Sequence, residues 1–110
     1  MNEQIESYLS QYPQEIMVLF QALRQIILDS APCPVEEKMW ARLPSYYAGD
    51  RFVRLIPFKD HINVEAAALS LHREALTGCK LTPKGMLQIR PGQAYPRDIL
   101  ARAFQETLAA

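Results

Sequence analysis

The sequence predicts an α+β fold in which N-terminal and C-terminal helices pack on one face of an antiparallel sheet of about four to five strands. Three observations support this fold class. Apolar residues recur at helical spacing near both ends of the chain, and they alternate with polar residues in its middle. The 110 residues are enough for one domain with its own core. Because no repeat or linker interrupts the chain, residues 1–110 are predicted to form a single domain.

Two amphipathic helices are predicted at the start of the chain. The first is short, because Pro13 lacks the amide that a continuing helix would use. Pro13 suits the first turn of the second helix, with Glu15 near the positive end of its dipole. The second helix ends before Pro32 and Pro34. The two apolar stripes consist of Ile5, Tyr8, Leu9 and Tyr12, and of Ile16, Leu19, Phe20, Leu23, Ile26 and Ile27.

The middle of the chain predicts two antiparallel strands, over residues 51–58 and 61–66, because the loop between them is too short for a parallel crossover. With Lys59 and Asp60 as the loop, Arg54 lies opposite Glu65 as a cross-strand ion pair. Lys-Asp is a poor type I′ turn, so a loop longer by one or two residues remains an alternative. The predicted buried positions are Val53, Leu55, Pro57, Ile62, Val64 and Ala66.

The remaining elements are shorter. Strands are predicted over residues 37–40 and 85–90, and a short helix over residues 69–76 is predicted to end at Gly78. The last helix begins after Tyr95-Pro96, with Asp98 in its first turn. Its predicted buried face consists of Ile99, Leu100, Ala103, Phe104 and Leu108.

Composition limits the classes of function. The formal net charge is zero, and a nucleic-acid partner usually requires a basic surface, so none is predicted. The N-terminus is polar and acidic, and no apolar run has the length of a membrane span, so we expect no membrane contact and a cytoplasmic location. Cys33 and Cys79 are too few for a disulfide framework. Both are expected to be small buried side chains, and their redox state is left open. His72 is expected to be an exposed helix residue.

A series of short motifs resembles the YdhG-like family of small bacterial proteins. The motifs are Ala31-Pro32, Glu36 or Glu37, Trp40, Pro44 and Tyr46, then Phe58-Lys59-Asp60-His61-Ile62, Lys84-Gly85-Met86-Leu87-Gln88-Ile89, and Pro96 with Ile99-Leu100. This resemblance implies a frataxin-like α+β sandwich, a cytosolic location and an iron-chaperone role proposed for some relatives. The chain departs from the family pattern at Ala41, where a glycine is expected, at Cys79 and at Met86.

Two candidate sites follow. His61, Asn63 and Glu65 share one strand face, and with Asp60 they offer imidazole and oxygen ligands suited to Fe²⁺; we take His61, Glu65 and Asp60 as the metal candidates. The alternative is a solvated face in which Glu65 pairs with Arg54. Glu36 and Glu37 point to opposite faces if the segment is a strand, so they cannot then bind one ion together. If the segment is helical or irregular, the alternative is a weak site for a hard cation.

The second candidate site is an aromatic wall for a small ligand, formed by Trp40, Tyr46, Tyr47 and Phe58 next to Pro44. Lys59 or Arg42 holds an anionic group of the ligand. The alternative is that these side chains form the edge of the core. No nucleophile elbow, glycine-rich phosphate loop or Cys-His arrangement is present, so no enzymatic activity is predicted.

The sequence therefore leaves two hypotheses. The first is a non-enzymatic, cytosolic, frataxin-like protein that requires no cofactor and binds Fe²⁺ weakly and transiently. The second is a module that binds a small molecule or a protein partner through the sheet face around Trp40, Pro44 and Tyr46. An exposed edge strand in so small a sheet also allows a homodimer.

Overall fold

Two helices precede a six-stranded antiparallel sheet, and a third helix follows it, in a computed structural model that describes residues 1–109. The helices are α1 (Glu3–Leu9), α2 (Gln14–Ser30) and α3 (Arg97–Leu108), and a 3₁₀ segment (Ala67–Leu76) lies between the fourth and fifth strands. The strands are β1 (Glu36–Trp40), β2 (Leu43–Ala48), β3 (Arg51–Pro57), β4 (Ile62–Ala66), β5 (Lys80–Leu81) and β6 (Leu87–Ile89). The predicted α+β class is confirmed, with six strands in place of the expected four to five.

The strand order is β1-β2-β3-β4-β6-β5, and every neighbouring pair is antiparallel. The predicted register of β3 and β4 is confirmed, since Arg54 pairs with Glu65 and Pro57 pairs with Ile62. In the connecting loop, the Phe58 N–H donates to the His61 carbonyl at 2.8 Å. The loop therefore closes as a tight turn and keeps the two strands in register.

β2 and β5 are the strands that the sequence did not predict. Residues 43–48 look like a turn because they contain a proline, which removes a backbone donor from a sheet. Pro44 is tolerated because it precedes Ser45, where the first pair between β2 and β3 forms. β5 contains only two residues, Lys80 and Leu81, and so leaves no periodic pattern to detect.

The hydrophobic core lies between the helices and one face of the sheet. The predicted stripe of α2 is buried throughout, with Ile16, Phe20, Leu23 and Ile27 fully inaccessible to water. Each of the helices and the 3₁₀ segment contributes buried side chains to this one core, together with the predicted inward positions of β3 and β4. The other face of the sheet, which we call the open face, carries alternate residues that include Arg54 and Glu65.

Several local predictions are corrected by the structure. Pro13 caps α2 and precedes its first residue. Cys33 is exposed and Cys79 is half-buried, because both lie in connecting segments and not on the core face of an element. His72 is largely covered and lies 2.5 Å from a Glu106 carboxylate oxygen, because the 3₁₀ segment packs against α3.

The helix predicted over residues 69–76 is a longer 3₁₀ segment capped by Thr77. Gly78 follows this cap without a positive φ, so it does not act as a left-handed terminator. Within residues 1–109, no helix has both the length and the apolarity that crossing a membrane requires.

Candidate functional site

The open face carries a cluster of aromatic rings around a buried arginine. Arg54 lies in the middle of the sheet, opposite Ser45 on β2 and Glu65 on β4. The centre of its guanidinium is 3.8 Å from the ring centroid of Phe52, 4.2 Å from that of Trp40 and 5.9 Å from that of Tyr47. We call Trp40, Tyr47, Phe52 and Arg54 the open-face cluster.

Hydrogen bonds hold the Arg54 side chain in place. Its Nε donates to the Ser45 hydroxyl at 3.0 Å, Nη1 to a Glu65 carboxylate oxygen at 3.1 Å and Nη2 to the Tyr47 hydroxyl at 2.8 Å. Arg54 is only 6% exposed, so water does little to stabilise its positive charge. The hydrogen-bond partners and the faces of the aromatic rings stabilise it instead. Because each partner fixes a different edge of the planar guanidinium, the rings beside it share one defined arrangement.

Two aromatic residues of the open face remain accessible to solvent. Trp40 is 50% exposed and Phe58 is 42% exposed. Trp40 on β1 pairs with Leu43 on β2, and the register of β2 and β3 places Leu43 opposite Ile56. Phe58 follows Ile56 by two residues and so lies on the same face. The two rings therefore lie at the same end of the sheet, with apolar side chains between them.

The structure assembles the predicted wall only in part. Tyr47 lies on the same face as Trp40, but Pro44, Tyr46 and Lys59 do not join them. Residues on a strand alternate between faces, so the pairing of Trp40 with Leu43 sends Pro44 and Tyr46 to the core. Tyr46 is fully buried. Lys59 is exposed in the turn after β3 and makes no hydrogen bond or ion pair within residues 1–109. Tyr47 and Phe52 occupy the positions beside Trp40.

Tyr46 instead lies beneath the sheet beside a polar network, and its buried hydroxyl has no hydrogen-bond partner within residues 1–109. The Glu37 carboxylate accepts hydrogen bonds from the Arg24 side chain and the Asn2 backbone N–H, and thereby ties α1 and α2 to β1. Burial opposes ionisation of Glu37, but Arg24, the nearby Tyr46 hydroxyl and Asn2 outweigh it, so the pKa of Glu37 is lowered. Burial, reinforced by Glu37, raises the pKa of Tyr46. The network is a structural link between layers.

The three metal candidates are separated along the sheet. Asp60 and His61 are adjacent, with Oδ1 and Nδ1 2.7 Å apart. Glu65 lies four strand residues beyond His61, which corresponds to about 13 Å. Its carboxylate is already held by Arg54. Among residues 1–109, no group of three or more histidine, cysteine or acidic side chains could hold a metal ion.

Asp60 also contacts a cationic side chain, that of Arg90. His61, and then Arg90 at 2.8 Å, lower the pKa of the Asp60 carboxyl to about 2. A cation would compete with Arg90 for this carboxylate. The predicted ligand set therefore reduces in this structure to the Asp60 and His61 pair.

The turn beside Trp40 has an unusual backbone. Ala41 and Arg42, which join β1 to β2, have φ angles of 50° and 65°. A two-residue turn with both φ angles positive normally contains Asn-Gly or Gly-Gly. The equivalent turn between β2 and β3 places Gly49, with φ of 66°, at its first position. The turn next to the exposed tryptophan is therefore strained where the neighbouring one is relaxed.

Comparison of the chain with protein-family models, with curated proteins and with solved structures found no match. The resemblance to the YdhG-like family therefore stays a prediction.

Proposed function

We propose that this protein is a non-enzymatic binding module whose open face contacts a protein partner, with Trp40 at the centre of the contact. The observation that carries the proposal is the half-exposed Trp40 ring fixed over the buried Arg54. Tryptophan, tyrosine and arginine are the residues that most often dominate the binding energy of protein interfaces. A protein partner is favoured because the accessible rings lie on a sheet surface, which fits another extended surface.

Preorganisation supports the same proposal. A partner that binds a mobile side chain must also restrict its rotation, at a cost of about 0.5–1.5 kcal/mol for each such side chain. Trp40 is already held by the Arg54 guanidinium, whose own position depends on Ser45, Tyr47 and Glu65. Less of the binding energy is then spent on ordering the contact surface.

Phe58 extends the proposed contact across the end of the sheet. Its ring stacks on His61, with the two centroids 4.5 Å apart and the planes inclined by 14°. Four large hydrophobic side chains are exposed within residues 1–109, namely Val18, Trp40, Phe58 and Leu71. Two of these four, Trp40 and Phe58, lie on the open face at the same end of the sheet, where they support one apolar contact surface.

Ferrous-iron binding is the second candidate function, and the observation that favours it is the contact between Asp60 and His61. A carboxylate that holds Nδ1 of a histidine leaves Nε2 directed away as a ligand, as happens in many metal sites. Glu65 would have to leave Arg54 to join the site. The iron role therefore ranks below the partner contact, and calorimetry tests it directly.

Site-specific photo-crosslinking tests the proposed partner contact. A photoreactive amino acid replaces Trp40 in the cells that make the protein, and the matched control carries the same group at Leu71, which is 76% exposed outside the sheet. The proposal expects a discrete protein adduct at position 40 that is absent at position 71. It also expects Phe58→Ala to reduce the yield of that adduct.

Fluorescence separates a protein partner from a small ligand. Trp40 is the only tryptophan, so its emission reports on the open face alone. Emission that changes with dialysed metabolite pools, in the absence of any adduct at position 40, would replace the protein partner with a small molecule. Equal crosslinking at positions 40 and 71 would refute the proposal.

A further inference from the structure

A cleft of about 490 Å³ lies at the end of the sheet away from Phe58. It is formed by the turn between β2 and β3, the start of the 3₁₀ segment and the turn between β5 and β6, and Thr107 of α3 also lines it. Its volume falls within the range of small-molecule sites. The metal candidates Asp60 and His61 and the exposed Trp40 do not contribute to it.

The cleft has more unpaired positive than unpaired negative charge. Arg51 and Lys84 form no ion pair with any residue in the described range 1–109. Of the two acids in the lining, Glu65 is neutralised by Arg54 at 3.1 Å. Asp50 then remains as one carboxylate against two cations, and the cleft favours a singly charged anion.

The rest of the lining is mostly apolar. Phe52 and Met86 offer an aromatic face and a flexible thioether, and Ala66 and Ala67 leave space beside them. Gly85 also lines the cleft, and a β-carbon added to it would meet no atom within 4 Å. The turn that carries Lys84 therefore leaves room for a ligand.

We infer that this cleft binds a small monocarboxylate with an apolar body. Arg51 and Lys84 bind the carboxylate, and Phe52 and Met86 contact the apolar part. The Ser70 and Thr107 hydroxyls line the same space. Ser70 already donates its hydrogen to the Ala67 carbonyl, whereas Thr107 accepts from the Ala68 N–H and keeps its hydroxyl hydrogen for a ligand oxygen. The two cations recognise the charge of the carboxylate. This inference does not depend on the protein partner proposed above.

Nuclear magnetic resonance with defined probes tests the inference. The probes are hydrocinnamate and octanoate, which share a carboxylate but differ in their apolar part, and the matched comparison is the neutral amide of hydrocinnamate. The inference expects saturable shifts of the backbone amides in residues 50–52, 65–70 and 84–86 with at least one carboxylate. The amide is expected to bind about tenfold more weakly, since it loses the charge-assisted hydrogen bonds.

Variants identify the groups that bind the carboxylate. Arg51→Gln and Lys84→Gln should each weaken binding by about tenfold. The matched control is Arg102→Gln, an exposed change on α3 outside the cleft, which should leave the affinity unchanged. All three positions lie at the surface, and circular dichroism checks that each variant is folded.

Three results would overturn the inference. One is the absence of saturable binding of both carboxylates. Another is an amide that binds as tightly as its acid. The third is an Arg102→Gln variant that loses as much affinity as Arg51→Gln, which would show that net charge and not the cleft determines binding.

Discussion

Replacing Ala41 with glycine should stabilise the protein, because Ala41 has a φ of 50° in the turn beside Trp40. A residue with a β-carbon in this left-handed region costs about 1–2 kcal/mol relative to its preferred backbone conformations. Glycine avoids that cost, but it loses about 0.5–1 kcal/mol more conformational entropy on folding. With the middle value of each range, the expected net gain in the free energy of unfolding is about 0.7 kcal/mol.

Urea unfolding followed by circular dichroism measures this gain. The midpoint should rise without a change in the slope of the transition, because the surface exposed on unfolding stays the same. For a domain of this size the thermal midpoint should rise by about 2–5 °C. The matched control is Ala75→Gly, an exposed position in the 3₁₀ segment without a positive φ, which should lower stability.

The comparison between the two variants decides the interpretation. If Ala41→Gly were neutral, or as destabilising as Ala75→Gly, the turn would not be strained and the argument from its backbone would be refuted. Strain of this kind is often retained near binding sites. If Ala41→Gly stabilised the protein and also abolished the crosslink at position 40, the strained turn would be shown to position residue 40 for its partner.

Four further predictions follow from the sheet and its turns. Arg54→Lys should lower the free energy of unfolding by about 1–3 kcal/mol in urea, since lysine cannot make the forked hydrogen bonds or stack between rings; wild-type stability would contradict this. The carboxyl of Asp60 should titrate near pH 2 by NMR, and because its pKa is lowered from 3.8, its contribution to stability is complete above pH 3.8 and is lost as the pH falls towards 2. A normal titration would refute the contacts of Asp60 with His61 and Arg90. For iron bound at the Asp60 and His61 pair, anaerobic calorimetry with Fe²⁺ should give heat that the variant His61→Ala lacks, and heat equal to buffer dilution for the wild type would remove the iron role. The free edge of β1 should pair between two chains at high concentration, and light scattering that shows only a monomer would exclude the homodimer.

Local periodicity was sufficient to predict the helices and the central hairpin. The α2 stripe repeats over the whole length of the helix, and Pro32 and Pro34 mark its end. In the hairpin, a one-residue slip would turn one apolar set to solvent, and with Lys59-Asp60 as the loop the remaining register pairs Arg54 with Glu65, as the structure confirms. These elements depend on residues that are close together in the sequence.

The first hairpin could not be predicted in the same way. Its turn, Ala41-Arg42, lacks the asparagine or glycine that signals a type I′ turn, and Pro44 argues against a strand. Without β2, the faces of the aromatic residues were assigned by proximity in the sequence. Proximity therefore puts both Tyr46 and Tyr47 in the predicted wall, whereas the pairing of β1 and β2 leaves only Tyr47 on the face of Trp40. Phe52 is the member of the open-face cluster that the sequence did not predict.

One signal could have identified the open-face cluster. If residues 43–48 are read as a strand that follows a two-residue turn, Tyr47 lies on the same face as Trp40 and Tyr46 on the other. A strand that pairs with β3 across Gly49 then places Ser45 next to Arg54. The depth of Arg54 burial still depends on how the rings pack over it, which no alternation pattern encodes.

Ser45 explains why a charged residue can be buried on the open face. The row that crosses the sheet at this point contains Lys38, Ser45, Arg54 and Glu65, and the serine is the smallest side chain among them. It occupies little space and donates its own hydroxyl hydrogen to the Leu43 carbonyl, so its oxygen is directed to accept from Arg54. The guanidinium can then lie flat across β2, where the Trp40 ring covers it.

The same geometry connects the two proposed sites. Phe52 packs against Arg54 in the open-face cluster and also lines the cleft. Phe52 therefore belongs both to the proposed partner contact and to the proposed carboxylate site. A carboxylate ligand that moved this ring would alter the support of Trp40, and a partner that fixed Trp40 would alter the cleft. Any coupling between the two binding events must be equal in both directions. The sheet thus provides a short physical route, from Phe52 through Arg54 to Trp40, along which a ligand at one end could change the affinity for a partner at the other.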